Sequence, residues 1–133
     1  AFPTDRCEAM TALGLYVRFL LGQDPEELSI MDRHADLLLK ALPEWAPKDR
    51  ICDMFYWYFG TYAMYQMDGK PWKAWNKAMK KALGNSQRTD GDPRGSWDPV
   101  GPWGSTGGRV YSTALMALCL EVYSSERVEP RRD

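Results

Sequence analysis

One histidine, three cysteines and a closely spaced pair of aspartates are the first residues to weigh for acid–base, covalent or metal chemistry. His34 stands in MDRHADLLL with no further ligand at metal-binding spacing, so it reads as a boundary or surface side chain rather than a zinc ligand. Nucleophilic triad chemistry would need it beside a serine on a GxSxG elbow, and the chain has no such elbow. Cys7, Cys52 and Cys119 lie far apart, form no CxxC, and sit in or beside apolar helical stretches, which is the pattern of buried free thiols. Asp90-Gly91-Asp92 is followed by Pro93 and has the composition of a turn. GSTGG at 104–108 precedes a helix but follows no strand and lacks a Walker lysine. Its backbone N–H groups could meet an anion, or it is simply a turn. No catalytic residue, metal or cofactor is therefore expected.

The remaining chemistry is that of aromatic rings. Asp53 to Gln66 reads DMFYWYFGTYAMYQ, in which seven of fourteen positions are Phe, Tyr or Trp and no charge follows Asp53. Such rings either fill a helical core or line an apolar cavity, where their faces attract cations. At helical spacing 54, 58, 61 and 65 share one face, and 55, 59, 62 and 66 the next. Most of these rings are expected to be core. Tyr58, Tyr62 and Tyr65 carry hydroxyls and are the candidates to touch a ligand, with Tyr111 near the start of the last helix.

Five helices must position these residues. The first is expected from about Thr4 to Gly22, capped by Thr4 or Asp5. The second runs from about Ser29, as cap, to Leu42, with Met31, Leu38 and Leu42 on one face and charges on the other. The third is the ring-rich stretch, capped by Asp53 and ended near Asp68-Gly69. The fourth opens KPW, with Pro71 suited to a first turn, and sets Trp72, Trp75, Met79 and Leu83 against a lysine face. The fifth runs from about Arg109 to Tyr123. Helices one, three and five are apolar nearly all round, while two and four are one-faced. That alternation predicts an all-α domain over 1–123, of helical hairpins in two layers, and a polar tail at 124–133 expected to fray.

A net charge of −1 gives no field for nucleic acid, and the lysines of the fourth helix read as a solvated face. No run of eighteen apolar residues exists, so no transmembrane segment is expected.

Between the fourth and fifth helices, residues 86–108 hold six glycines, three prolines and two tryptophans. A connection this long needs its own job. Here it is expected to be a stiff crossing pinned by Trp97 and Trp103. Gln87 followed by Gly95-Ser96-Trp97, ahead of an apolar helix, resembles the QW motif of the terpenoid cyclase and protein prenyltransferase superfamily, at a longer spacing than usual. GSWDPVGPWGSTGGRVYSTALMALCLEVY, preceded by a DMxYxYxxTxxM helix and a Lys-rich helix, is similar to squalene-cyclase-type repeats. The likeness covers about Thr11 to Tyr123. It implies helical hairpins arranged as an α/α toroid, with Gln87, Gly95, Trp97 and Trp103 as structural residues. The cyclases' DxDD acid and the prenyltransferases' Asp-Cys-His zinc set have no counterpart here. The resemblance therefore implies a non-catalytic module holding an apolar small molecule or a protein partner, a fragment of a cyclase-like enzyme, or an interaction scaffold.

The chain opens AFPTD without methionine, as expected of a processed or trimmed product, and two and a half hairpins are few for a closed ring. An apolar last helix without an outer partner predicts self-association, a covering subunit, or a longer protein. Size-exclusion chromatography with light scattering is expected to return a mass above one chain; a well-behaved monomer would contradict the two-layer arrangement.

Overall fold

The computed structural model describes residues 8–47 and 52–130, and among them it is all-α. Five helices follow in order: α1 (Glu8–Leu20), α2 (Ser29–Leu39), α3 (Met54–Met67), α4 (Gly69–Ser86) and α5 (Gly104–Glu121), with a 3-10 turn at Val122–Ser124. The expected caps Thr4 and Asp5, and Cys7, lie outside the described residues. Asp53 caps α3 as anticipated, its carboxylate accepting from the Tyr56 N–H at 3.1 Å. Ser29 does not cap α2; Leu28 is the cap residue and Ser29 is already helical.

The ring-rich α3 is the hub. It packs most extensively on α1, then on α4 and α5, and touches α2; α1 also packs on α2, and α2 on α4. Of the sequence-neighbouring helices, α1 with α2 and α3 with α4 pack closely on each other, as short connections favour, whereas α4 and α5 are joined by the long crossing. The α3–α4 connection is the tightest, since only Asp68, at φ +58°, separates the two helices. The buried core draws Leu15 and Phe19 from α1, Met31 and Leu38 from α2, Trp57 and Met64 from α3, Trp75 and Met79 from α4, and Met116 and Cys119 from α5.

Two helices are less covered than their composition predicts. α5 buries Ser112, Met116 and Cys119 but leaves Val110 83% exposed, and Leu118 and Leu120 also face outward. Its only substantial helical neighbours are α3 and the 3-10 turn. α1 likewise exposes Met10, Val17 and Leu20, and Leu21 just after it is exposed too. Apolar residues all round a helix show what it can bury, and among the described residues the neighbours of these two leave part of each helix uncovered. α5 also breaks at Gly108 (φ 64°, ψ −166°), so the regular helix begins at Arg109 as anticipated, with residues 104–107 forming a preceding turn.

The α3–α4 contact rests on one glycine. A Cβ at Gly60 would collide with the six-membered ring of the wholly buried Trp75. The Trp75 indole N–H donates to the Thr61 hydroxyl at 3.1 Å, satisfying its one polar atom. Gly60→Ala is expected to destabilise the chain by ~1–3 kcal/mol through overpacking, despite alanine's better helix propensity. Gly84→Ala, where nothing lies within 4 Å of the new methyl, is expected to stabilise it by roughly 0.5–1 kcal/mol. Urea denaturation of the two variants checks this, and equal shifts would refute the close approach.

Candidate functional site

α4 covers the Gly60 side of α3, and away from it the helix carries a group of rings that are only partly buried. Phe55, Tyr58, Phe59 and Tyr62 are all half-buried there, joined by Tyr16 from α1. They form one continuous row. Centroid separations are 4.8 Å for Phe55–Phe59, 4.9 Å for Tyr58–Phe59 and 5.2 Å for Tyr58–Tyr62, all edge-to-face. Tyr16 meets Tyr62 at 5.7 Å and Phe59 at 6.5 Å. The row lies between α1 and α5, since the Tyr62 hydroxyl donates to the Leu118 carbonyl at 3.2 Å. Burial raises the Tyr58 and Tyr62 hydroxyl pKa values, with their mutual repulsion adding to the first. The other side of α3 is core: Tyr56 stacks edge-on against Trp75 at 5.5 Å, and its hydroxyl donates to the Ala41 carbonyl at 2.9 Å.

Of the four tyrosines expected to meet a ligand, Tyr58 and Tyr62 stand in this row and the other two do not. Tyr65 is already engaged: its hydroxyl donates to the Ser125 carbonyl at 2.9 Å, and the Arg127 guanidinium lies 4.6 Å over its ring. Arg127 also forks onto the Asp68 carboxylate, with both contacts at 2.9 Å, and the Val128 N–H donates to Gln66 Oε1 at 2.8 Å. The segment after α5 is thus fastened across the end of α3 rather than frayed. Its polar composition concealed this, because the fastening uses backbone groups and one arginine fork.

Tyr111 stands at the other end, where it lines an open cavity of about 270 Å³ with Phe55, Trp103, Thr106 and Gly107. Its hydroxyl is buried and unpaired; burial, then the Asp53 charge, pushes its pKa up to about 12. Asp53 itself is raised by burial, with its backbone hydrogen bonds opposing the shift.

The crossing from α4 to α5 pairs Gln87 with Trp97 in an isolated antiparallel bridge. The Gln87 amide donates to the Gly95 carbonyl at 3.0 Å. Trp97 is buried, with its indole N–H donating to the Leu83 carbonyl at 3.3 Å and its backbone N–H to the Thr113 hydroxyl at 3.2 Å. Asp98 holds Arg109 at 2.7 Å, tying the crossing to the start of the regular helix. Trp97 is therefore the pin that was expected. Trp103 is not a buried pin, for it is 41% exposed and forms cavity wall.

Sequence reasoning missed Tyr16. Its spacing from Ala12 and Phe19 marked it as facing inward, but only the α1–α3 packing brings it to Phe59 and Tyr62. Burial, then the nearby charges of Arg18 and Arg33, lowers the His34 pKa, and its Nδ1 is unpaired among the described residues. No group of three potential metal ligands occurs among the described residues. Asp90 is exposed and pairs loosely with Arg88 at 3.5 Å, as a turn residue would. Burial raises both described thiols, Cys119 to about 12, which suits unreactive core residues. No helix among the described residues is long and apolar enough to cross a membrane. Compared with known proteins, the chain matches no family model, and no curated protein or solved structure matches it.

The two hydroxyls predict opposite outcomes. Tyr56→Phe is expected to cost ~1 kcal/mol, because it removes the hydrogen bond to the part-buried Ala41 carbonyl. Tyr111→Phe, which removes an unpaired hydroxyl, is expected to be neutral or stabilising by up to ~1 kcal/mol. Thermal unfolding of both variants checks this, and a loss at Tyr111→Phe equal to that at Tyr56→Phe would show that the Tyr111 hydroxyl has a partner in solution.

Proposed function

We propose that this chain is a non-catalytic helical binding module, related in design to the repeats of the terpenoid cyclase and protein prenyltransferase superfamily, that holds an apolar ligand against α3. The observation that supports it is the row of five half-buried rings, Tyr16, Phe55, Tyr58, Phe59 and Tyr62, on the side of α3 turned away from α4. A chain optimised only for packing would cover such rings, each of which brings large apolar area. The contacts α1–α3–α5 in one series and α2–α4 in another support a reading as inner and outer helices of a two-layer repeat. In a longer or assembled toroid, the ring row would face the centre.

A second reading, a piece of a cyclase-like enzyme acting on a polyprenyl substrate, is favoured by one feature. Asp53 is a partly buried carboxyl at the head of the ring helix, with a raised pKa and its charge felt at Tyr56 and Tyr111. Native mass spectrometry of the chain purified from a cell lysate separates the readings. A co-purifying lipid-sized mass, lost in Tyr58→Ala/Tyr62→Ala, supports the module; turnover of a polyprenyl diphosphate or squalene, abolished by Asp53→Asn, supports the enzyme. A ligand-free chain that takes up no apolar probe, while those rings stay partly exposed to solvent, would refute the binding reading.

A further inference from the structure

The cavity at the head of α3 adjoins the ring row, sharing Phe55 with it, and has a chemistry of its own. Three rings reach it from three elements: Phe55 from the first turn of α3, Trp103 from the crossing and Tyr111 from α5. Thr106 and Gly107 complete the wall, and a Cβ at Gly107 would run into the Tyr111 ring, so the glycine helps set the shape. Its surface is wholly apolar and its volume is about 270 Å³. A single water's share of liquid is ~30 Å³, so a group of several heavy atoms fits.

The lining narrows the class of guest. An anion requires donors, and no polar surface faces the cavity. A primary ammonium brings three N–H donors and would find no acceptor for them. A fully methylated ammonium has no hydrogen bond to lose, offers methyl surface to the rings, and is drawn to their faces by its charge. The surrounding field agrees. The Asp53 carboxyl caps α3 two residues before Phe55, at the same end of the helix as the cavity, and it acts on Tyr111 against a helix-end charge of about half a unit. Glu8 lies close enough to act on Asp53. Arg109, the cation nearest in sequence to Tyr111, is engaged by Asp98 at 2.7 Å and by the Ser96 hydroxyl. The partial charge at the start of α5 opposes a cation, but the break at Gly108 separates residues 104–107 from the regular helix and its aligned dipoles.

From these contacts we infer that the cavity bounded by Phe55, Trp103 and Tyr111 is a binding site for a quaternary ammonium group, with Asp53 as its counter-charge.

The test is a titration of the intact chain with choline, tetramethylammonium and the neutral choline isostere 3,3-dimethylbutan-1-ol, followed at the Trp103 indole N–H by NMR. Both cations are expected to bind roughly 10-fold more tightly than the neutral isostere. Asp53→Asn, which keeps a good helix cap, is expected to weaken the cations several-fold and leave the isostere unchanged. Trp103→Leu, at a partly exposed position, is expected to weaken the cations most. Equal affinity for cation and isostere would overturn the inference, as would no Trp103 shift at roughly millimolar choline. So would an Asp53→Asn chain, folded by circular dichroism, that binds choline unchanged. None of these outcomes bears on the ring row, whose ligand is tested separately above.

Discussion

The approach of Gly60 to Trp75 sets the rotation of α3 about its own axis, and the face offered to solvent follows from that rotation. With α4 against position 60, the Thr61 hydroxyl must meet the indole N–H, and at 3.1 Å it does. At 100° per residue, positions 55, 58 and 62 then fall roughly 160–220° away, on the far side of the helix. Phe59 falls on the flank and bridges Phe55 and Tyr58 to Tyr16 of α1. A helix whose composition has almost no preferred direction is oriented by the one place where it has no side chain. Alanine at 60 would push α4 outward or turn α3, and either movement would redistribute rings between core and surface.

The exposed row carries an energetic cost that is large on the scale of a small domain. Each large ring brings roughly 150–250 Å² of surface. Leaving up to about a third of that wet forgoes at most about 1–2 kcal/mol per ring at ~25 cal/mol per Å². Five such rings together come within reach of a typical domain's net stability of about 5–15 kcal/mol. The Tyr62 hydroxyl recovers part of this through its bond to a carbonyl of α5. Exposure on this scale is stable only because Trp57, Trp75, Met64, Leu15 and Leu38 bury so much on the other side. Anything apolar that covers the row adds directly to the stability of the fold.

What was legible in the sequence is what depends on local chemistry. The Asp53 cap, the Asp68-Gly69 break, Pro71 in the first turn of α4 and the Gln87–Trp97 pairing are set by residues close in the chain. Whether an apolar face is covered depends on which helices exist to cover it, and composition carries no such information. α1 and α5 therefore read as buried rods, although Met10 and Val110 are open to solvent. Tyr65 read as a ligand contact for the same reason, because its occupant arrives from sixty residues away. The two tryptophans of the crossing differ in that Trp97 has the α4 carbonyl of Leu83 within reach of its indole, while Trp103 faces a cavity.

These long-range ties bind the two ends of α3 to the C-terminal part of the chain. At the head, Gly101 approaches the Cys52 carbonyl so closely that no Cβ fits, at a φ of +81° that glycine alone adopts freely. At the foot, Arg127 grips Asp68, a non-glycine residue held at φ +58°, and the fork helps hold a backbone that would otherwise relax. The ring helix is thus held at its two termini by segments that follow it in sequence, and along its length by α1, which precedes it. Its rings reach their final order only when both halves of the chain have docked. Residues before Met54 and after Ser86 are accordingly part of the same site, although no ring of the DMFYWYFGTYAMYQ stretch lies in them.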